Sequence, residues 1–106
     1  MLFRSVIDDF RYQSQSLIDC CIEGDFQVVR GDCRDERRMK KLVANADLII
    51  PLAAIVGAPA CDNDRVAAQS INHDAISMLC RLTSRSQQII YPTTNSGYGI
   101  GEQDKF

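Results

Sequence analysis

Hydrophobic and polar positions follow two different periods along the chain, and their alternation predicts strands separated by helices. Short apolar runs typical of strands occupy residues 2–7, 26–29, 47–52 and 87–91. Between them, apolar residues recur every three or four positions, as on one face of a helix. The longest such stripe lies in the predicted helix 65–82 and consists of Ala67, Ile71, Ala75, Met78 and Leu82. The predicted order is β-α-β-α-β-α-β, followed by a turn-rich tail.

Two of the predicted helices carry clear start signals. Asp35 and Glu36 precede a stripe whose apolar members are Met39, Leu42 and Val43. Acidic residues at this end suit the helix dipole, and Asp62, Asn63 and Asp64 offer caps for the long helix. The first predicted helix, between the strands 2–7 and 26–29, rests on a shorter stripe, Leu17, Ile18, Cys21 and Ile22.

Alternating strands and helices predict an α/β fold with parallel strands, right-handed crossovers and helices on both faces of the sheet. Ligands of such open sheets bind beyond the carboxyl ends of the strands. The four ends predicted here are Asp8-Asp9, Gly31-Asp32, Leu52-Ala53-Ala54 and Thr93-Thr94-Asn95. Carboxylates, small side chains and hydroxyls are a suitable lining for a ribose, an adenine edge and a flat cofactor ring.

Composition excludes several functional classes. The chain has 106 residues, enough for one domain, and a net charge of -2 that predicts neither nucleic-acid nor membrane binding. The apolar run 48–60 is shorter than the roughly 20 residues that span a bilayer. Five cysteines without a C-x-x-C pair indicate a reducing compartment, and His73 has no second metal ligand at helical spacing. We therefore expect a cytoplasmic protein without a metal site.

Four segments, in order, resemble one known family. They are Gly31-Asp32-Cys33-Arg34-Asp35, Asp47 to Ala54, Ser70-Ile71-Asn72, and Tyr91 to Gly99. These segments are similar to the extended short-chain dehydrogenases/reductases, and most of all to the NAD-dependent epimerase/dehydratase family, which acts on nucleotide sugars. The resemblance covers nearly the whole chain. It implies that residues 1–106 are a partial NAD-binding Rossmann domain, a doubly wound parallel sheet whose first strand and C-terminal part are missing.

The resemblance also implies which residues bind NAD. The expected cofactor-binding residues are Asp8, Asp32, Cys33, Leu52, Ala53, Ala54, Asn72 and Thr93. Asp8 would accept hydrogen bonds from the adenosine ribose, and its charge would favour NAD over NADP. Asp32 and the Cys33 backbone would meet the adenine edge. Asn72 resembles the helix asparagine that supports the wall of the active site.

The resemblance also implies catalytic and substrate-binding residues, which follow the last predicted strand. Thr94 matches the catalytic Ser/Thr that hydrogen-bonds the reacting sugar hydroxyl, and Asn95 and Ser96 would contact the nucleotide-sugar substrate. Dehydratases of the family carry an Asp-Glu pair where Asn95 and Ser96 stand, so an epimerase or related oxidoreductase is favoured. A homodimer is possible, since family members commonly dimerise.

Each of these residues also has a structural interpretation. Asp8 and Asp32 are suited to turns and caps whatever the function, and Thr94 is suited to a turn. Ala53 and Ala54 could serve close packing alone, and Asn72 could be a surface amide.

Two motifs of the family are absent from the sequence. Neither G-x-x-G-x-x-G nor G-x-G-x-x-G, the Gly-rich turn after the first strand, occurs, and no tyrosine is followed four residues later by lysine. Gly97, Gly99 and Gly101 lie at the wrong end of the chain, with Glu102 where a further glycine would fall. We therefore expect an incomplete piece of a nucleotide-sugar enzyme. The alternative is a non-catalytic remnant or a nucleotide-binding module. Without the first strand, the sheet should divide into two strand pairs with unpaired inner edges.

Overall fold

A computed structural model describes residues 3–13 and 15–94. Its strands are β1 (Arg4–Asp8), β2 (Phe26–Arg30), β3 (Leu48–Ile49) and β4 (Gln88–Ile89). Its α-helices are α1 (Glu36–Ala44), α2 (Ala58–Asn63), α3 (Arg65–Gln69) and α4 (Ala75–Leu82). A π-helical turn, Ser70–Asp74, joins α3 to α4, and two short 3-10 helices lie at Gln15–Leu17 and Asp19–Ile22.

The strands form two separate two-stranded parallel sheets within the described part of the chain. β1 pairs with β2 over five residues, from Arg4 opposite Phe26 to Asp8 opposite Arg30. β3 pairs with β4 over two residues, Leu48 opposite Gln88 and Ile49 opposite Ile89. The α/β class, the parallel pairing and the division into two strand pairs are thus confirmed.

The helix starts follow the predicted capping chemistry. The Asp35 carboxylate accepts a hydrogen bond from the Arg38 backbone N–H at 3.1 Å, and this capping bond begins α1. The Asp64 carboxylate accepts one from Ala67 N–H at 2.9 Å and begins α3. From there the helical segment continues through α4. No helix in the described residues has the length and apolar character needed to cross a membrane.

The core lies between α1 and the long helical segment. Among the described residues, the buried apolar side chains are Val43, Ile71, Ala75, Met78 and Leu79. Three of these belong to the predicted stripe, which is confirmed in its centre. Its outer members, Ala67 and Leu82, are only half-buried.

Two segments differ from the sequence prediction. Residues 15–22 form 3-10 turns instead of an α-helix, because Ile18 and Ile22 are exposed and a short helix without packing is marginal. Residues 58–63, for which the sequence predicted no element, form α2. Pro59 lies in its first turn, where proline is tolerated, and Gly57 precedes it with a φ of 92°.

One face of the β3–β4 sheet is uncovered in the described structure. Leu48, Ile50 and Leu52 alternate along the chain and are 47%, 50% and 74% exposed. Ile90, level with Ile50 in the parallel register, is 56% exposed. Parallel sheets in α/β proteins normally carry helices on both faces. This face therefore has the apolar pattern of a buried strand without a covering element.

The Gln87 side chain joins the segments that lead into β3 and β4. Its Nε2 donates to the Val43 carbonyl at 2.6 Å and to the Ala46 carbonyl at 2.5 Å. Its Oε1 accepts from Ser84 N–H at 2.8 Å. The two Nε2 bonds cross more than 40 residues of sequence and fix the end of α1 beside the start of β4.

Replacing Gln87 with alanine should lower the free energy of unfolding by about 1–3 kcal/mol, because the Val43 and Ala46 carbonyls and the Ser84 N–H each lose a hydrogen bond. Chemical denaturation of Gln87→Ala would measure the loss. The matched control is Gln88→Ala, whose side chain is exposed and should matter little. Equal effects of the two substitutions would contradict the role of the Gln87 amide.

Candidate functional site

The ends of β1 and β2 lie side by side. The Gly31 backbone N–H donates to the Asp8 carbonyl at 2.9 Å, one residue after the last register pair. Asp32 follows directly, so both aspartates stand at the same sheet edge. An added Cβ at Gly31 would lie 2.6 Å from Arg38 Nη1, so a larger residue there would displace the end of the Arg38 side chain. That arginine crosses the strand end and donates to the Arg30 carbonyl.

The loop after β1 is a tight turn organised by carboxylates. Asp8 Oδ1 accepts from Phe10 N–H at 2.7 Å, and Asp9 Oδ1 accepts from Arg11 N–H at 2.9 Å. Phe10 has a φ of 57°, a left-handed conformation that bulky side chains rarely adopt. Such residues cluster at ligand sites, where the surrounding structure enforces the strain. One oxygen of the Asp8 carboxylate, Oδ1, stabilises this turn. The other oxygen, Oδ2, has no partner among the described residues.

Asp32 is fully engaged by Arg34. Arg34 Nε donates to Asp32 Oδ1 at 3.0 Å, and Arg34 Nη2 donates to Oδ2 at 2.6 Å. The Arg34 backbone N–H donates to Oδ1 at 2.8 Å. The hydrogen bonds from the Arg34 side chain hold the pKa of the Asp32 carboxyl below its ordinary value of 3.8. The carboxylate is thus a stable, charged part of the loop.

Cys33 lies between these two residues and is half-buried. Burial raises the pKa of the Cys33 thiol, and the neighbouring Asp32 charge acts in the same direction. The side chain is therefore a neutral thiol that fills space, as a small apolar residue would. All five cysteines of the chain are free thiols in the structure.

The π-helical turn ties together the loops that follow β2 and β3. Ser70 Oγ accepts a hydrogen bond from Arg34 Nη1 at 3.0 Å. Two residues on, Asn72 Oδ1 accepts from Ile55 N–H at 2.8 Å, and Asn72 Nδ2 donates to the Ile55 carbonyl at 2.9 Å. π turns are rare and often occur at functional sites. Here one turn carries two side chains that reach different strand-end loops.

The loop held by Asn72 presents small and apolar residues to solvent. Leu52, Ala53 and Ala54 are all exposed and directly precede the clamped Ile55. Because Asn72 uses its amide on the Ile55 backbone, its direct effect is to position this loop. The cofactor contact expected of Asn72 stays a prediction.

The remaining candidates follow β4. The Ile90 N–H donates to the Ile49 carbonyl at 3.0 Å and continues the parallel ladder, so the chain leaves β3 and β4 at the same edge. Thr93 and Thr94 lie three and four residues further on and are exposed. Asn95 and Ser96 lie outside the described residues.

The structure thus places Asp8 and Asp32 at the ends of two paired strands, and links Asp32 through Arg34 to the turn that holds the loop of Ala53 and Ala54. Sequence reasoning missed Arg34 and Ser70 as members of this network. The Asp-x-Arg spacing was a usable signal, because a carboxylate and a guanidinium two residues apart in a loop readily pair. Within the described residues, no group of three or more His, Cys, Asp or Glu side chains could hold a metal ion. No model of a known protein family matches the sequence.

Removing the Asn72 amide should release the loop after β3. Asn72→Ala should destabilise the protein by about 1–3 kcal/mol, because the Ile55 backbone N–H loses its partner and the Ile55 carbonyl keeps only the Cys61 thiol, 3.4 Å away. Amide hydrogen exchange at Ile55 should accelerate more than exchange in β1. Asn63→Ala, at an exposed position in α2, is the control and should leave Ile55 exchange unchanged. Unchanged exchange in Asn72→Ala would contradict the clamp.

The Asp32–Arg34 pair should make stability depend on acid pH. Because the pKa of Asp32 is lowered by folding, the stabilisation is complete above pH 3.8 and is lost as pH falls below that value. Carboxyl carbon shifts in NMR spectra would measure the Asp32 titration directly. In Arg34→Gln the pKa of Asp32 should rise towards its ordinary value. An equally low pKa in the variant would show that Arg34 is not its cause.

Proposed function

We propose that this chain is the adenosine-binding part of a NAD-dependent enzyme that acts on a nucleotide sugar, an epimerase or related oxidoreductase. The observation that carries the proposal is that β1 and β2 end together, with Asp8 opposite Arg30 and Asp32 two residues beyond Arg30. Parallel α/β proteins bind nucleotides beyond this edge. A partial Rossmann-like, doubly wound domain over residues 1–106 accounts for this arrangement.

The chemistry of the edge fits an adenosine. Asp8 has one carboxylate oxygen without a partner among the described residues, as a ribose diol requires. Its negative charge disfavours a 2′-phosphate, so the proposed cofactor is NAD rather than NADP. Asp32 and Cys33 would border the base. Leu52, Ala53, Ala54 and Thr93 would lie along the cofactor, with Asn72 holding their loop.

In the proposed reaction, Thr94 orients the sugar hydroxyl, and Asn95 and Ser96 contact the substrate. NAD would supply removal of a hydride from a sugar carbon and its return to the transient ketone. The base that takes the hydroxyl proton belongs to a Tyr-x-x-x-Lys motif that this sequence does not contain.

The open surfaces of the fold support an additional strand between the two sheets. In a doubly wound domain, the first strand lies between the strands that correspond to β1 and β3. Among the described residues the strands form two separate pairs, and Leu48 of β3 is exposed together with Ile50 and Leu52, which follow β3. A strand carrying the Gly-rich turn would pair both inner edges, and its helix would cover part of this apolar face. Free thiols on all five cysteines fit the cytoplasm.

The second candidate function is a nucleotide-binding remnant without catalysis. It is favoured by the absence of both the Gly-rich turn and the Tyr-x-x-x-Lys motif from the sequence. Without the backbone amides of that turn, the pyrophosphate lacks its usual partners. The chain by itself should therefore bind NAD with millimolar affinity at best, and micromolar binding in a calorimetric titration would contradict the remnant.

The adenosine site can be tested through the 2′ position of the ribose. Wild-type protein should bind adenosine about fivefold more tightly than adenosine 2′-monophosphate, since two charges about 4 Å apart in water interact by about 1 kcal/mol. In Asp8→Asn this preference should disappear. NMR titrations with each ligand would measure both affinities in the millimolar range.

The matched control is Asp25→Asn. Asp25 accepts a backbone hydrogen bond from Arg4 at the opposite end of the β1–β2 pair, so its charge is remote from the proposed ribose. This variant should keep the wild-type preference. Failure of adenosine to bind, or an equal loss of preference in both variants, would contradict the proposed site.

A further inference from the structure

The guanidinium of Arg34 donates hydrogen bonds to two different parts of the fold, the loop after β2 and the π-helical turn. Nε and Nη2 donate to the Asp32 carboxylate in the loop after β2. Nη1 donates to Ser70 Oγ, 36 residues away on the π-helical turn. Despite these three bonds, the side chain remains 38% exposed. A planar group is thus fixed in orientation while part of it stays open to solvent.

The positive charge of the Arg34 guanidinium is compensated by the Asp32 carboxylate, and this affects which ligands Arg34 can bind. The Asp32 carboxylate lies 2.6 Å from Nη2, so an anion approaching Arg34 also meets a negative charge. Stacking on a ring requires only an accessible face, and guanidinium groups stack well on aromatic systems. The geometry therefore favours a flat, uncharged ring over a phosphate.

We propose that Arg34 is a stacking platform for the purine ring of an adenosine ligand, and that Ser70 is the positioning residue that fixes the plane of its guanidinium. This inference rests on the proposed function and adds to it the residues that recognise the base. Arg34 lies two residues beyond Asp32, at the sheet edge where nucleotides bind in parallel α/β folds. Asp32 then acts on the base through Arg34, because its own oxygens are already bonded.

The first experiment uses the wild-type chain and needs no substitution. The Arg34 Nε–H resonance is followed in ¹H–¹⁵N spectra while adenosine or, separately, ribose 5-phosphate is added. A purine ring above the guanidinium shifts this proton upfield through its ring current, whereas ribose 5-phosphate should leave it unchanged. A shift with ribose 5-phosphate instead would overturn the proposal in favour of a phosphate site.

The second experiment compares variants by their affinity for adenosine. Arg34→Lys keeps the positive charge but loses the planar group, and should weaken binding about fivefold or more, the range found when stacking side chains are removed. Ser70→Ala keeps Arg34 and should weaken binding less. It should also alter the Arg34 Nε–H shift before ligand is added. Arg37→Lys, at an exposed position of α1, is the matched control and should bind as wild type.

The outcomes separate this inference from the proposed function. Suppose that the wild-type chain prefers adenosine over adenosine 2′-monophosphate and that this preference depends on Asp8, but that Arg34→Lys binds adenosine as tightly as wild type. The stacking role of Arg34 is then wrong, and the proposed function stands. If adenosine does not bind the wild-type chain, both fall. Weaker binding in Arg34→Lys, together with an upfield Arg34 Nε–H shift, supports the platform.

Discussion

Parallel pairing of β1 with β2 is the constraint on which the rest of the structure depends. Parallel strands require a crossover connection between them, and their carboxyl ends lie at the same end of the sheet. The Gly31 N–H to Asp8 carbonyl bond extends this pairing to the last residue before the loops. Asp8 and Asp32 are therefore neighbours because of backbone geometry, before any side chain interacts.

Side-chain hydrogen bonds, more than apolar packing, hold the loops at this edge. The buried core among the described residues consists of five side chains and lies around α1 and α4. Towards the strand ends, the contacts are polar: Arg34 with Asp32 and Ser70, and Asn72 with Ile55. The π-helical turn matters because it places Ser70 and Asn72 where each reaches a different loop. Small changes in this turn would move both.

The sequence predicted the parts of the fold that have strong periodicity. The stripe centred on Ile71, Ala75 and Met78 is buried as expected, and the four strands lie within or close to the predicted segments. The prediction of an α-helix at residues 15–22 was wrong, because a short segment with an apolar stripe forms an α-helix only when another element covers the stripe. The helix α2 was missed because Pro59 is compatible with both a loop and a first helical turn.

The candidate site was only partly predictable for a related reason. Positions at strand ends follow from the order of elements, so Asp8 and Asp32 were expected to be neighbours. Which hydrogen bonds a carboxylate makes depends on side chains brought in from elsewhere, such as Ser70, which is 36 residues from Arg34. The resemblance to nucleotide-sugar enzymes supplied the roles of Thr94, Asn95 and Ser96, and these remain predictions.

The central claim is that the strands are parallel and end at shared edges. NMR detection of couplings through hydrogen bonds tests it most directly, because each coupling identifies one donor and one acceptor residue. The account predicts couplings from Gly31 N to the Asp8 carbonyl carbon and from Ile90 N to the Ile49 carbonyl carbon. Reciprocal couplings between directly opposed residues, as in antiparallel strands, would contradict it.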